Sequence, residues 1–281
     1  MSDDGGSREP LRLNDGHHLP AIGLGTFGLT GEAGIAAIVS ALGLGYRLLD
    51  TAVGYGNEWE VGEAVRRSEV PGEDVVVATK IRARDHGYDA TRRSIAESRR
   101  TLGVDRIGLH LIHWPNPRLD RYVETWQALV AARDEGEVRS IGVSNFTAAH
   151  LETLVGETGV VPAVNQVELH PHLPQAAQRA VHERLGIRTQ SWSPLGRGRV
   201  LLERPEVTRP AERLSASPAQ VVLRWHHQLG ADPVPKSADP GRQRENLAPV
   251  GRLTEAEMDA ITGLGRRGGR LWGGDPETTH L

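Results

Sequence analysis

Residues 46–67 read YRLLDTAVGYGNEWEVGEAVRR and contain one complete unit of a pattern that recurs along the chain. An apolar run at 46–52 leads into a short loop, and an amphipathic stretch follows at 58–67. Short apolar runs without polar alternation are typical of parallel strands that are covered on both faces. The segment therefore predicts a buried strand, a loop and a helix, in that order.

The same alternation covers most of the sequence and predicts the fold. Eight strand–helix units, with strands too apolar to face water, indicate an α/β protein with a (β/α)8 TIM barrel. The predicted strands are 21–27, 46–52, 75–80, 107–113, 138–144, 163–169, 188–194 and 233–236. The predicted helices are 32–42, 58–67, 90–102, 121–135, 148–155, 175–185, 218–228 and 242–247.

Two segments lie outside these units. The turn sequence Asn14-Asp15-Gly16 between leucines predicts an N-terminal β-hairpin that caps the bottom of the barrel. Thr254 followed by Glu257 is a helix-capping pattern, so we expect an extra C-terminal helix at 254–262. Because no linker interrupts the sequence, we expect one domain over residues 1–281, with 1–10 disordered and a flexible glycine-rich tail at 266–281.

Composition narrows the class of protein. The net charge of -3 gives no indication of nucleic-acid binding, and the absence of cysteine excludes disulfides, zinc thiolates and thiol nucleophiles. No apolar run approaches the ~20 residues that a membrane-spanning helix needs. The polar, acidic N-terminus MSDDGGSREP is unlike a secretion signal. We expect a soluble cytoplasmic protein without nucleic-acid or membrane partners.

Titratable residues end three successive predicted strands. Asp50, Lys80 and His113 stand at these ends, and Tyr55 lies on the loop after Asp50. The carboxyl ends of barrel strands meet at one mouth, where barrel enzymes place their catalytic residues. Each residue alone has an ordinary explanation, as a cap, a solvated lysine or a core histidine. Their coincidence favours a catalytic set.

Such a set suits proton transfer to a carbonyl group. A phenol has a pKa near ~10, and a neighbouring ammonium such as that of Lys80 is expected to lower it. Asp50 would keep Lys80 charged and oriented, and His113 could aim a carbonyl oxygen at Tyr55. Since no side chain supplies a hydride, the hydride must come from a cofactor.

Two other motifs have weaker interpretations. Residues 23–28, GLGTFG, fit the G-x-G-x-x-G fingerprint of Rossmann proteins, but here the glycines lie inside the predicted strand rather than between a strand and a helix. We interpret them as positions where a ligand approaches the strand end. His110 and His113 form H-x-x-H, but residues three apart in a strand face opposite ways, so we expect no metal site.

Polar and aromatic groups at the remaining strand ends fit a nicotinamide dinucleotide. Ser144, Asn145 and Gln166 could hold a carboxamide, and the Trp192 indole could stack on a flat ring. The glycine-rich, basic sequence LGRGR at 195–199 suits a pyrophosphate. The basic residues that surround the helix start after the last strand favour NADPH over NADH, unless they form a solvated face: Lys236, Arg242 and Arg244.

Taken together, these motifs resemble the aldo-keto reductase superfamily, most closely prokaryotic members similar to 2,5-diketo-D-gluconate reductases. The resemblance runs from residue 11 to about 276 and implies a (β/α)8 barrel, a monomer and NADPH-dependent carbonyl reduction. It assigns the catalytic tetrad to Asp50, Tyr55, Lys80 and His113, with Tyr55 as the general acid. The motifs are GLGTF, YRLLDTAVGYGNE, TK ending at 80, LIHWP, GVSNF, VNQVELHP, QSWSPLGRG and PKSADPGRQREN.

The resemblance also implies a full set of cofactor contacts along the mouth. From Ser144 onward, these contacts follow the cofactor in order along the chain: first the carboxamide, then the nicotinamide ring, the pyrophosphate and the 2'-phosphate end. The contacts are Gly25, Thr26, Asp50, Ser144, Asn145, Gln166, Trp192, Ser193, Leu195, Gly196, Lys236, Ser237, Arg242, Glu245 and Asn246.

The sequence departs from this family near the substrate. Arg82 stands about where similar bacterial enzymes carry a tryptophan wall, and it could either favour anionic carbonyl substrates or point to solvent. Trp272 in the tail could supply aromatic surface instead. The predicted substrate contacts are Phe27, Tyr55, Arg82, His113, Trp114 and Trp272.

Three functions are compatible with this reading. The first is NADPH-dependent reduction of small aldehydes and ketones, and the complete tetrad favours it. The second is a nucleotide-sensing regulatory protein of the same fold with little turnover. The third, a phosphate-handling lyase or isomerase, would explain the basic loop after the last strand but not Trp192 or the Tyr55–Lys80 pair.

Overall fold

The computed structural model describes residues 10–266, 268–272 and 274–279, apart from the side chain of residue 199. Residues 1–9, for which we expect disorder, lie outside the described residues, as do residues 267, 273, 280 and 281 of the tail. The strands are β1 (Leu11–Arg12), β2 (His18–Leu19), β3 (Leu24–Gly25), β4 (Leu48–Asp50), β5 (Val76–Ile81), β6 (Ile107–Ile112), β7 (Val138–Ser144), β8 (Val164–Glu168), β9 (Arg188–Trp192) and β10 (Ala231–Pro233). The helices are α1 (Gly31–Leu44), α2 (Glu58–Arg67), α3 (Tyr88–Leu102), α4 (Tyr122–Asp134), α5 (Ala148–Thr158), α6 (Ala176–Leu185), α7 (Arg199–Leu202), α8 (Pro205–Leu214), α9 (Pro218–Gln228), α10 (Pro240–Leu247) and α11 (Glu255–Thr262).

Strands β3 to β10 form a parallel barrel in chain order. The first and last strands close it, because the N–H of Gly23 bonds to the carbonyl of Pro233 and that of Gly25 to Pro235, each at 3.1 Å. Gly25 is required at this seam, since a Cβ there would lie 2.9 Å from the carbonyl oxygen of Val234. The predicted (β/α)8 barrel is confirmed, and the Rossmann alternative is excluded.

The antiparallel pair β1–β2 lies at the bottom of the barrel, as predicted. Leu13 and Leu19 of this hairpin are buried in one cluster with Leu48 and Leu109 from the barrel strands. A larger cluster fills the space between the outer face of β3–β7 and the surrounding helices. Because the strands are parallel, all their carboxyl ends lie at the end of the barrel opposite this hairpin.

Several boundaries differ from the predictions. The last strand is Ala231–Pro233 rather than 233–236, and Pro235 beyond it has no N–H to continue the ladder. The first strand narrows to Leu24–Gly25. Helices α7 and α8 lie in the stretch read only as a loop, where Pro210 inside α8 obscured the helical pattern. The capping box of Thr254 with Glu257 is present, as predicted.

Candidate active site

The site is built on a buried ion pair between two neighbouring strand ends. Lys80 Nζ lies 2.9 Å from both carboxylate oxygens of Asp50 and donates a further bond to the carbonyl of Thr51 at 2.8 Å. Both side chains are almost completely buried. Three oxygen acceptors around one ammonium hold the lysine charged and fixed in position.

The Asp50 carboxylate is held from the far side of the barrel. Gln166 Nε2 donates to Asp50 Oδ1 at 2.7 Å and to Gln190 Oε1 at 2.6 Å. The hydroxyl of Thr26 bonds to the Asp50 carbonyl at 3.0 Å. These contacts place Gln166 and Thr26, both predicted cofactor contacts, in the same hydrogen-bond network as Asp50.

Tyr55 lies directly above this pair, at the end of a short 3-10 turn over residues 53–55. Its ring centre is 5.1 Å from Lys80 Nζ, 5.1 Å from the Phe27 ring and 5.8 Å from the His113 ring. Gly56 ends the turn with φ 67°, which turns the chain into α2. The four predicted tetrad residues therefore meet at one end of the barrel.

The electrostatics of Tyr55 differ from the expectation. Burial raises the pKa of its phenol, and the opposing effect of Lys80 does not outweigh it. The expected net lowering of this pKa by the ammonium is therefore wrong for this structure. Burial alone would lower the pKa of Lys80, but Asp50 and Tyr55 reverse that effect and the net pKa is raised. Tyr55 is thus a neutral phenol beside a charged lysine.

His113 is also neutral. Burial, assisted by Lys80, lowers the pKa of its imidazole to about 3. A neutral imidazole can donate one hydrogen bond without bringing a second positive charge near Lys80. This is the property needed to orient a carbonyl oxygen next to the Tyr55 hydroxyl.

The predicted carboxamide-binding residues form a linked group at the ends of β7 and β8. Asn145, with φ 63°, donates to the carbonyl of His113 and to the Ser144 hydroxyl, each at 3.0 Å. Trp192 Nε1 donates to Asn145 Oδ1 at 2.9 Å. The group connects the catalytic side of the mouth to the predicted stacking residue.

The residues predicted to hold the 2'-phosphate end lie just before α10 and along it. Lys236 and Arg242 are exposed, and Asp239 caps the helix by accepting a bond from the Arg242 N–H at 2.8 Å. The last two residues of this set contact neighbouring elements instead. The Glu245 carboxylate accepts a bond from the Ser217 hydroxyl, and the buried Asn246 side chain bonds to Tyr46.

The predicted substrate contacts divide into two groups. Phe27 is exposed beside Tyr55, whereas Trp114 is buried and packs against the tail at Gly274, where a Cβ would lie 2.8 Å from the indole. Arg82 neither extends freely into solvent nor stands unpaired, because its Nε donates to Asp85 at 2.7 Å. That pairing neutralises the charge expected to attract anionic substrates.

One residue of the mouth was missed. Glu168, at the end of β8, is fully buried and accepts bonds from the N–H of Leu271 at 2.7 Å and, from its neighbour His170, at 3.2 Å. The sequence could have indicated it, because Glu168 lies two residues after Gln166 and therefore on the same face of the strand. The tail therefore lies over the mouth, and Trp272 is half-exposed there.

Two features of the described residues bear on other classes of protein. None of the helices within 10–266 and the described tail is long and apolar enough to cross a membrane. Among the same residues, no group of three or more histidine or acidic side chains is placed to hold a metal ion.

Known proteins that are similar to this chain agree with the geometry of the site. The model of the "Aldo/keto reductase family" matches residues 21–266. The 2,5-diketo-D-gluconic acid reductase B of Corynebacterium sp. (strain SHS752001) is 56% identical over 95% of this chain and 96% of its own. The crystal structure of Gox0644 in its apo form superposes with a TM-score of 0.92 at 44% identity, covering 98% of this chain and 100% of the other. A mutant of Gox0644 in complex with NADPH gives a TM-score of 0.92 at 42% identity, with the same coverage.

Proposed function

The chain belongs to the aldo/keto reductase family, and on that premise we propose that it reduces aldehydes and ketones to alcohols with NADPH. The observation that carries this proposal is the meeting of Tyr55, Lys80, Asp50 and His113 at one barrel mouth. A sensor without turnover would not need a neutral acid beside a buried ammonium.

The groups around the mouth fit NADPH by their chemistry. Amide and hydroxyl groups of Ser144, Asn145 and Gln166 would hold the nicotinamide carboxamide, and Trp192 would lie against its ring. Ser193, Leu195 and Gly196 would line the pyrophosphate, and the exposed cations Lys236 and Arg242 would bind the 2'-phosphate. When bound there, NADPH supplies the hydride.

The protein's own residues provide the proton and the orientation. The His113 imidazole donates a hydrogen bond to the substrate carbonyl oxygen and directs it to Tyr55. The Tyr55 hydroxyl then gives its proton to that oxygen. Lys80, held charged by Asp50, stabilises the phenolate that remains. In the reverse oxidation the same groups act, with Tyr55 as the base.

Tyr55→Phe tests this function, because it removes the acidic proton and keeps the ring. Loss of NADPH absorbance would be followed with a panel of aldehydes and ketones that includes 2,5-diketo-D-gluconate, the substrate named for the 56% identical relative. We expect kcat to fall by about 100-fold or more, while calorimetry shows unchanged NADPH affinity. Tyr88→Phe, at an exposed tyrosine on α3, is the matched control.

Each outcome separates the candidate functions. Turnover in the parent that disappears in Tyr55→Phe supports the reductase. NADPH binding without turnover in either protein would instead support the sensor. Equal turnover in the parent and in Tyr55→Phe would show that another group is the acid. We further propose that the enzyme acts as a cytoplasmic monomer. Light scattering of the purified protein would test whether it is monomeric.

A further inference from the structure

A cavity lies at the opposite end of the barrel from the tetrad. Its volume is about 670 Å³, within the ~300–1,000 Å³ range of small-molecule sites. Its walls are formed by the N-terminal hairpin, β9 and β10 near their starts, helix α9 and the segment after α10. No member of the tetrad lines it, and of the predicted cofactor contacts only Asn246, whose side chain bonds to Tyr46, reaches its wall, so it is separate from the catalytic mouth.

The wall of this cavity is strongly basic, although the protein as a whole carries a net charge of -3. Asp232 is the acidic side chain in the wall, and Arg188 already binds it through Nε at 3.0 Å and through Nη2. The arginines of the wall are Arg12, Arg47, Arg188, Arg224 and Arg252.

Two of these arginines are held in place before any ligand binds. Arg47 donates through Nη1 to the carbonyls of Leu42 and Tyr46 at 2.9 and 2.7 Å. The Nε of Arg224 donates to Gln228 at 3.2 Å, and the Gln228 carboxamide is fastened to the backbone of Leu253. Fixed guanidinium groups lose little conformational entropy when they bind an anion.

The other two stand at the rim. Arg12 and Arg252 are exposed, and no acidic side chain among residues 10–266 and the described tail forms an ion pair with either. A concave surface of one charge concentrates counter-ions, and guanidinium forks match the oxygens of phosphate and carboxylate groups. The positive charge of the wall also acts on His227. Burial lowers the pKa of its imidazole to about 4, and Arg224 and Arg188 add to this lowering.

We propose that this cavity binds a small polyvalent oxyanion, carrying phosphate or carboxylate groups, at a site distinct from the catalytic mouth. The proposal does not depend on the reductase function. Fixed arginines form its floor, and the two rim arginines would close on the outer charges of the ligand.

Calorimetric titration at constant ionic strength would test the site, with tripolyphosphate as the phosphate probe and citrate as the carboxylate probe. In Arg12→Gln/Arg252→Gln we expect affinity to fall by at least about tenfold, because two charge-assisted contacts are lost. Arg100→Gln/Arg184→Gln removes the same charge from exposed positions on α3 and α6 and is the matched control. Lys236→Ala/Arg242→Ala removes the two cations proposed to bind the 2'-phosphate at the mouth.

The proposal is supported if at least one probe binds the parent, the control and the mouth variant alike, and binds the rim variant weakly. Which probe binds then identifies the ligand class. Binding that survives in the rim variant but disappears in the mouth variant would overturn it, since the anion would then occupy the mouth. An equal loss in the control, or no binding of either probe, would overturn it as well.

Discussion

The indole N–H of Trp272 donates a hydrogen bond to the Ser193 hydroxyl at 3.1 Å, so the C-terminal tail is joined to the loop after β9. The guanidinium of Arg197 on that loop lies 3.3 Å from the centre of the same indole. The tail is anchored in turn by the bond from Leu271 to the buried Glu168. Because this loop is the proposed pyrophosphate site, Trp272 should support cofactor binding.

Trp272→Phe and Trp272→Ala separate the two contacts of this indole. The phenylalanine removes the hydrogen bond to Ser193 but keeps a ring for Arg197, and we expect NADPH affinity to fall by about threefold. The alanine removes both, and we expect about tenfold. Calorimetry measures these affinities, and Trp59→Ala, at an equally exposed tryptophan on α2, is the control. Equal affinities for the Trp272 and Trp59 variants would contradict this role.

The pKa of His113 leads to a prediction for the pH dependence of catalysis. Because burial lowers that pKa to about 3, the imidazole stays neutral across the physiological range. Burial raises the pKa of Tyr55, so the proposed acid keeps its proton in the same range. We expect kcat/KM for reduction to show no inflection between pH 5.5 and 8. An inflection near ~6.5, the usual value for histidine, would show instead that His113 titrates.

Much of this fold could be predicted because its information is local. Helix α2 at Glu58–Arg67 and strand β7 at Val138–Ser144 have the predicted bounds, since the amphipathic pattern of the helix and the apolar run of the strand are uninterrupted. The predicted bounds of the last strand, 233–236, were wrong, because barrel closure decides which residues pair beside the prolines at 233 and 235. That closure depends on residues more than 200 positions away.

The site shows the same division. The tetrad was accessible from the sequence because barrel topology alone brings successive strand ends to one mouth. The net pKa of Tyr55 was not, because it depends on how completely the tertiary structure excludes water from the phenol. The partner of Arg82 was also missed, although Asp85 is only three residues away, because a turn at 83–85 brings the two side chains together.

This Arg82–Asp85 pair leads to a prediction about substrate charge. While Asp85 neutralises the guanidinium, Arg82→Gln should change the kcat/KM ratio of an acidic to a neutral aldehyde by less than about threefold. Asp85→Asn leaves the charge of Arg82 uncompensated and should shift that ratio toward the acidic aldehyde. Steady-state kinetics on the two substrates measure both ratios. A large loss of acidic preference in Arg82→Gln would mean that the arginine contacts substrate despite its partner.

His110 provides a test of how buried histidines set acid stability. Both nitrogens of its imidazole are buried without a hydrogen-bond partner in the described structure, and burial lowers its pKa from 6.5 to about 3. Between these two pKa values the unfolded chain therefore binds a proton that the folded protein does not. The stability associated with neutral His110 is complete above pH 6.5 and is lost as the pH falls toward 3. In His110→Leu, the free energy of unfolding should fall less steeply over this window, by up to about 1.4 kcal/mol per pH unit. Chemical denaturation at several pH values measures the slope, and a slope unchanged in His110→Leu, or altered equally in the exposed control His18→Leu, would contradict the assignment.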